Sequence, residues 1–102
     1  MFTELQIKQL KALAEPTRAQ IIEVLRGKEL CACHILDHFS ISQPTLSHHM
    51  KILTDCALIK IRKEGIWNHY ELQLDQFHAL SDSLKFEIEA CDVCELDGSE
   101  DI

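Results

Sequence analysis

Apolar residues recur at helical spacing through the first 55 positions of the chain. Leu5, Leu10 and Leu13 show this spacing in the first segment, where Thr3 can cap a helix. Pro16 suits the first turn of a second helix, because its missing N–H is not needed there. The pattern predicts four helices in this region, over about residues 3–14, 16–26, 31–39 and 42–55.

The period changes from helical to alternating after residue 57. Alternation over 58–72 around Gly65 predicts a β-hairpin, with glycine at a turn position that needs positive φ. A last helix over about 75–94 carries an apolar stripe, and the acidic tail 95–102 is predicted to be disordered. The stripe consists of Phe77, Leu80, Leu84, Ile88 and Cys91. The order α-α-α-α-β-β-α predicts a mainly α fold with a β-hairpin, a winged helix-turn-helix, in one domain over residues 1–94.

The fourth predicted helix has two unlike faces. Leu46, Met50 and Leu53 recur at i, i+4 and i+7 and should face the core, with His49 packed on the inner flank. The polar face suits DNA, because a recognition helix presents its N-terminal end to base edges while lysine and arginine bind phosphate. Gln43 is expected to read adenine. The predicted DNA-binding residues are Ser42, Gln43, Thr45, Ser47, His48 and Lys51, with Arg62 and Lys63 of the hairpin.

The net charge of −7 does not exclude DNA, because the acidic residues are unevenly distributed. Residues 1–74 carry nine basic and eight acidic side chains, whereas residues 75–102 carry one and nine. The apolar runs are shorter than the roughly 18–20 residues that cross a bilayer, and the first residues do not resemble a secretion signal. We therefore expect a cytoplasmic protein without a membrane partner.

Four of the five cysteines form two close pairs, Cys31 with Cys33 and Cys91 with Cys94. In the cytoplasm they should be reduced thiols. On a regular helix Cys31 and Cys33 would point about 200° apart, so we expect them to meet at one ion only if the first turn unwinds. Such unwinding beside the fourth helix would convert ion binding into lost DNA affinity. Soft thiolates select As(III), Sb(III), Cd(II) or Pb(II) over hard ions.

The sequence resembles the ArsR/SmtB family of metal-sensing winged-helix repressors in four segments, LAEPTRAQIIEVLRG, ELCAC, SQPTLSHHMKIL and EGIWNHYEL. The resemblance covers about residues 13–74, and ELCAC is typical of arsenic- and cadmium-sensing members. It implies a homodimer, formed by the first and last helices, that binds an inverted-repeat operator in double-stranded DNA. It also implies that an inducer, first of all As(III) or Sb(III), binds Cys31 and Cys33 and releases the DNA.

The sequence departs from the family pattern around the thiols. The third cysteine that arsenic sensors often have one turn later is replaced by Leu36, and residues 1–30 lack the N-terminal cysteines of cadmium sensors. Cys91 and Cys94 could supply missing ligands, because i, i+3 thiols share a helix face. They could equally pack on a dimer partner or form a redox pair. Histidines next to the first pair, His34 and His38, also have metal-ligand spacing.

Other functions remain open on the sequence alone. A repressor of the same fold could respond to oxidation or persulfidation of its thiols. Both cysteine pairs could instead hold a structural zinc ion. A thiol enzyme is disfavoured because no acid–base set accompanies the cysteines, so we expect no enzymatic activity.

Overall fold

The computed structural model describes residues 1–85 of the chain. The last helix, predicted over about 75–94, ends at Leu84 in the structure, because Lys85 has an extended backbone. Ile88, the Cys91 and Cys94 pair, and the acidic tail 95–102 lie outside the described residues. The described elements are α1 (Glu4–Leu13), α2 (Pro16–Val24), β1 (Leu30–Cys31), α3 (Ala32–Leu36), α4 (Gln43–Asp55), β2 (Ile59–Glu64), β3 (Trp67–Leu72) and α5 (Leu74–Leu84). This order confirms the predicted fold class, with one additional strand, β1.

Helix α1 buries a polar face, which its sequence pattern did not predict. Thr3 caps the helix in a capping box with Gln6. The buried residues are Gln6, Gln9 and Ala12, while Leu5 remains 38% exposed. Gln9 is fully buried, and its Nε2 donates to the carbonyl of Cys56 and to Oε1 of Gln76 on α5, each at 3.0 Å. A hydrogen bond through Gln9 therefore links α1 to α5.

The hydrophobic core lies between α2, α3, α4 and the start of β2. The predicted inward face of α4 is confirmed, because Leu46, Met50 and Leu53 are at most 2% exposed. They pack in one cluster with residues from the neighbouring elements. The fully buried partners include Ile21, Leu25, Ile35, Leu58 and Ile59. The core thus fixes the orientation of α4 relative to both the short α3 and the hairpin.

The hairpin forms as predicted, and a third strand joins it. Strands β2 and β3 pair antiparallel with Glu64 opposite Trp67, so Gly65 is the first of two turn residues, with φ of +62°. Strand β1 pairs antiparallel with β3, placing Cys31 opposite His69 and giving the order β1-β3-β2. The third predicted helix, over 31–39, is therefore wrong at its start. A strand of two residues is too short to show alternation, so the sequence could not reveal it.

Helix α4 passes directly into β2 through a tight cap. The N–H of Ala57 donates to the carbonyl of Thr54 and that of Leu58 to Leu53, the two bonds of a Schellman motif. Ala57 occupies the left-handed position with φ of +66°, which alanine adopts only at a cost. The side chain of Gln73 donates to the Ala57 carbonyl at 3.1 Å and holds the bend. The hairpin is thereby attached to α4 without a flexible linker.

Leu53→Ala should lower the free energy of unfolding by about 2–5 kcal/mol, because the deletion leaves a cavity in the fully buried core. Chemical denaturation measures the loss. Ile66→Ala is the control, because Ile66 at the hairpin turn is 89% exposed and should change stability by no more than about 0.5 kcal/mol. Equal losses for both variants would contradict this description of the core.

Candidate nucleic-acid interface and metal centre

The N-terminal turn of α4 is ordered by its own hydroxyl groups. Ser42 is the N-cap, and its Oγ accepts from the N–H of Thr45 at 3.3 Å. The same hydroxyl donates to Oγ1 of Thr45 at 2.9 Å. The proton of Thr45 therefore stays free to reach a phosphate or a base. Gln43 and Pro44 form the first turn and hold this end open to solvent.

The predicted reading face of α4 is exposed along its whole length. His49 lies on the inner flank as expected, with a side chain 12% exposed and Nδ1 3.2 Å from NH1 of Arg18. Glu15 approaches the same nitrogen at 4.0 Å. The exposed residues are Ser42, Gln43, Thr45, Ser47, His48 and Lys51. The structure thus leaves this predicted set accessible to solvent, whereas His49 is largely buried.

The basic residues of α4 and the hairpin differ in their partners. Lys51 pairs with Asp55 at 3.1 Å and Lys60 with Glu71 at 3.7 Å. Lys63 is exposed and forms no ion pair within residues 1–85. Among the predicted phosphate contacts, Lys63 is thus the one that has no carboxylate partner within the described residues.

Arg62 is the most strongly paired cation of the hairpin. Its Nε and NH2 donate to the two carboxylate oxygens of Glu29, at 3.1 and 2.9 Å, and its NH1 lies 3.4 Å from Glu64. The hydrogen bond to Glu29 raises the pKa of the guanidinium further above its usual value, while the same bond lowers the pKa of the Glu29 carboxyl. Arg62 can bind phosphate through its Nε–NH2 edge only by leaving Glu29.

Cys31 and Cys33 lie together without any unwinding of a helix. Cys31 is the N-cap of α3 with extended backbone, φ −80° and ψ 162°, because it belongs to β1. Its Sγ lies 2.7 Å from Sγ of Cys33, although both are free thiols. The expectation that the two side chains point about 200° apart is therefore wrong. It assumed helical geometry at a residue that is held in a strand.

The two thiols share a hydrogen bond that separates their acidities. The bond from Cys33 lowers the pKa of Cys31, whose thiolate also accepts from the N–H of His34. The same bond raises the pKa of Cys33. The pair thus ionises in two separate steps. Cys31 is buried and Cys33 exposed, so the thiol whose pKa is lowered is the inner one of the pair.

His34 is the third potential ligand beside the thiols. Donor atoms of Cys31, Cys33 and His34 all lie within 4.8 Å of one another, the one such triad among residues 1–85. His38 is not part of this group. Leu36, in the place where a third cysteine would stand, is partly buried and packs against the core. Sulfur and imidazole are soft to borderline ligands, so the triad suits thiophilic and late transition-metal ions.

A groove connects the thiol site to the reading face. Its volume is about 290 Å³, and it lies between α3, the start of α4 and the hairpin. Cys33 forms part of one wall, Gln43 and Ser47 of α4 form another, and Trp67 and Asn68 of the hairpin close it. Sequence reasoning missed this groove and missed Glu29. Both depend on the pairing of β1 with β3, and a strand of two residues leaves no recognisable pattern in the sequence.

Comparison with known proteins identifies the family. Residues 15–60 match the family described as “Bacterial regulatory protein, arsR family”. The chain is 52% identical over 63 residues to an arsenical resistance operon repressor of Staphylococcus xylosus, covering 62% of this chain and 61% of that protein. It is 47% identical over 75 residues to the repressor of the same name from Staphylococcus aureus, covering 74% of this chain and 68% of the relative. The chain belongs to the arsR family.

Solved structures of arsR-type proteins share the fold. A possible transcriptional regulator for arsenical resistance matches with a TM-score of 0.67 and 34% identity, covering 78% of this chain and 86% of the other. A homodimeric winged helix-turn-helix DNA-binding domain from Mycobacterium bovis matches with a TM-score of 0.66 and 25% identity, covering 76% and 74%. These findings confirm the winged helix-turn-helix.

The arsR family consists of DNA-binding regulators, which confirms that the chain is not an enzyme. No helix within residues 1–85 is long and apolar enough to cross a membrane.

Cys33→Ala should return the pKa of the Cys31 thiol toward its ordinary value, because the donated hydrogen bond is lost. Cys33→Ser should move it less, since a hydroxyl can still donate. Thiolate absorbance followed against pH, in a Cys91→Ser, Cys94→Ser background, measures the shift. Cys56 adds little in the lower range, because burial raises its pKa. An unchanged midpoint in Cys33→Ala would show that the thiols do not share a proton.

Proposed function

We propose that this protein is a cytoplasmic transcriptional repressor that binds operator DNA as a homodimer and releases it when a thiophilic ion binds Cys31 and Cys33. The observation that carries the proposal is the contact of 2.7 Å between the two sulfurs, beside the groove that Gln43 lines. A ligand held there lies next to the surface that would read DNA. We further propose that residues 1–94 form one DNA-binding and dimerisation domain, with the acidic segment 95–102 outside it.

Arsenite or antimonite is the inducer that we propose first. Two relatives at 52% and 47% identity are named as arsenical resistance operon repressors. The thiol pair supplies the soft ligands that As(III) and Sb(III) prefer. Binding of arsenite to two thiols forms two As–S bonds and releases two water molecules. The third position would be filled by His34, by Cys91 or Cys94, or by a hydroxide from solvent.

A second candidate inducer is Cd(II) or Pb(II). The observation in its favour is the imidazole of His34 within 4.8 Å of both sulfurs, since Cd(II) accepts mixed sulfur and nitrogen ligands. Oxidation or persulfidation of the pair is the remaining alternative. It is favoured by the same short distance between the sulfurs and by the depressed pKa of Cys31, which supplies a thiolate.

The DNA surface that we propose combines α4 with the hairpin. Gln43, Thr45, Ser47 and His48 face solvent on the N-terminal half of α4, where a recognition helix meets base edges. Ser42 orders this turn and Lys51 follows it, while Lys63 and Arg62 would bind phosphate on the flank. An inverted repeat is the matching operator, because a two-fold dimer presents two such surfaces.

The homodimer would use α1 and α5. Leu5 and Ile7 on α1 are 38% and 41% exposed, and Leu84 on α5 is 44% exposed. Apolar side chains left in solvent on adjoining helices favour burial against a second copy. The homodimeric domain from Mycobacterium bovis supports a homodimer.

Gln43→Ala should weaken binding to the specific operator by about 1–3 kcal/mol and leave non-specific DNA binding nearly unchanged. Lys63→Ala should weaken both and reduce the slope of log affinity against log salt by about one unit. Fluorescence anisotropy with operator and random duplexes at several salt concentrations separates the two effects. Equal losses on both duplexes for Gln43→Ala would remove this residue from the base-reading set.

The double variant Cys31→Ser, Cys33→Ser tests the sensor itself. It should bind operator like the parent, because serine is close in size and the proposed DNA contacts lie on α4 and the hairpin. It should not be released by arsenite, whereas the parent should lose about 5–150-fold in operator affinity. Cys56→Ser is the matched control, since this thiol lies in the core away from the groove. Release of the double variant by arsenite would show that the pair is not the sensor.

A further inference from the structure

The thiol site and the hairpin are joined by one row of residues across the sheet. Cys31 on β1 lies opposite His69 on β3, and His69 lies opposite Arg62 on β2. Side chains at directly opposed positions stand on the same face of a sheet. Cys31 and Arg62 therefore share a face, although they lie 31 positions apart in the chain.

Glu29 bridges the two ends of this row. It precedes Cys31 by two residues and binds Arg62 through both carboxylate oxygens, at 2.9 and 3.1 Å. Such a bidentate pair fixes orientation as well as distance. A displacement of the backbone around Cys31 would reach the guanidinium through this contact.

A second carboxylate also lies beside Arg62. Glu64 lies 3.4 Å from the guanidinium and also 3.2 Å from Nε2 of His69. Arg62 is thus held between two carboxylates. Of the two, Glu29 lies in the same chain segment as the thiols. A phosphate group would have to displace Glu29 to accept from the Nε–NH2 edge of the guanidinium.

We propose that Glu29 is the positioning residue that transmits occupancy of the thiol site to the hairpin, by retaining Arg62 when an ion is bound and yielding it to phosphate when the site is free. This inference rests on the proposed function, in which a thiophilic ion binds Cys31 and Cys33. Glu29 and a DNA phosphate then compete for Arg62, and a bound ion favours Glu29. The ion therefore binds the free protein more tightly than the DNA-bound protein, which any release requires.

Glu29→Gln tests the proposal, because it keeps the size of the side chain and removes its charge. Without arsenite the variant should bind operator as tightly as the parent or more tightly. The loss of affinity that arsenite causes should shrink by at least about fivefold. Arg62→Lys should also shrink the arsenite effect, since lysine cannot form the bidentate pair with Glu29, but it should weaken operator binding as well, because Arg62 is one of the proposed phosphate contacts. Glu71→Gln is the matched control, because it breaks the pair with Lys60 on the same hairpin.

A readout without DNA uses Trp67, the single tryptophan of the chain, which stands opposite Glu64 on the hairpin and is 53% exposed. Sodium arsenite should change its fluorescence in the parent and in Glu71→Gln, but much less in Glu29→Gln. Arsenic–thiolate absorbance should rise equally in all three proteins.

Any different outcome contradicts either the role of Glu29 or the proposed metal-sensing function. A full arsenite effect in Glu29→Gln, on operator affinity and on Trp67 fluorescence, would overturn the role of Glu29. Weaker arsenic–thiolate absorbance in Glu29→Gln would also overturn it, because Glu29 would then act on the ion site and not on the hairpin. Absence of this absorbance in the parent, with arsenite and also with Cd(II), would refute the metal-sensing function itself and the inference with it.

Discussion

The two-residue pairing of β1 with β3 is the contact on which the arrangement of the site depends. It holds Cys31 in extended backbone, and this alone lets its sulfur meet that of Cys33. Two residues of ladder are too few to be stable by themselves. The strand is held by burial, because Cys31 and Tyr70 are 7% and 8% exposed and Leu30 packs against the core. The thiol geometry is therefore a product of core packing more than of local sequence.

The electrostatics of α4 and the hairpin depend on ion-pair partners within the chain, which a count of charged residues does not show. Lys51, Lys60 and Arg62 each face a carboxylate of the same chain. Exposed pairs of this kind add little stability, so they can be exchanged for phosphate. In the proposed complex, binding to DNA would thus replace internal ion pairs with external ones. In the proposed complex, discrimination between DNA sequences would depend on the contacts of α4 with base edges.

The sequence was sufficient for elements whose signal is long and local. The thirteen residues of α4 carry a clear apolar stripe, and Gly65 marks the turn of the hairpin. It was insufficient where tertiary contacts decide the structure. Strand β1 is too short to show a period, and the burial of Gln9 in α1 depends on hydrogen bonds to Gln76 and to the carbonyl of Cys56. The thiol pair was found from residue type and spacing, while its geometry and the partner Glu29 required the fold.

The buried glutamines of α1 have a consequence for the length of the operator. Gln6 accepts from Ser83 and donates to the carbonyl of Ala79, and Gln9 bonds Gln76, so α1 and α5 are fixed in one register. Two helices joined by apolar contacts alone could slide past each other by a fraction of a turn. Helices joined by hydrogen bonds can shift only by breaking those bonds. A dimer built on these helices would keep its two recognition helices at one separation. The number of base pairs between half-sites would then be set by the glutamines, far from any residue that touches DNA.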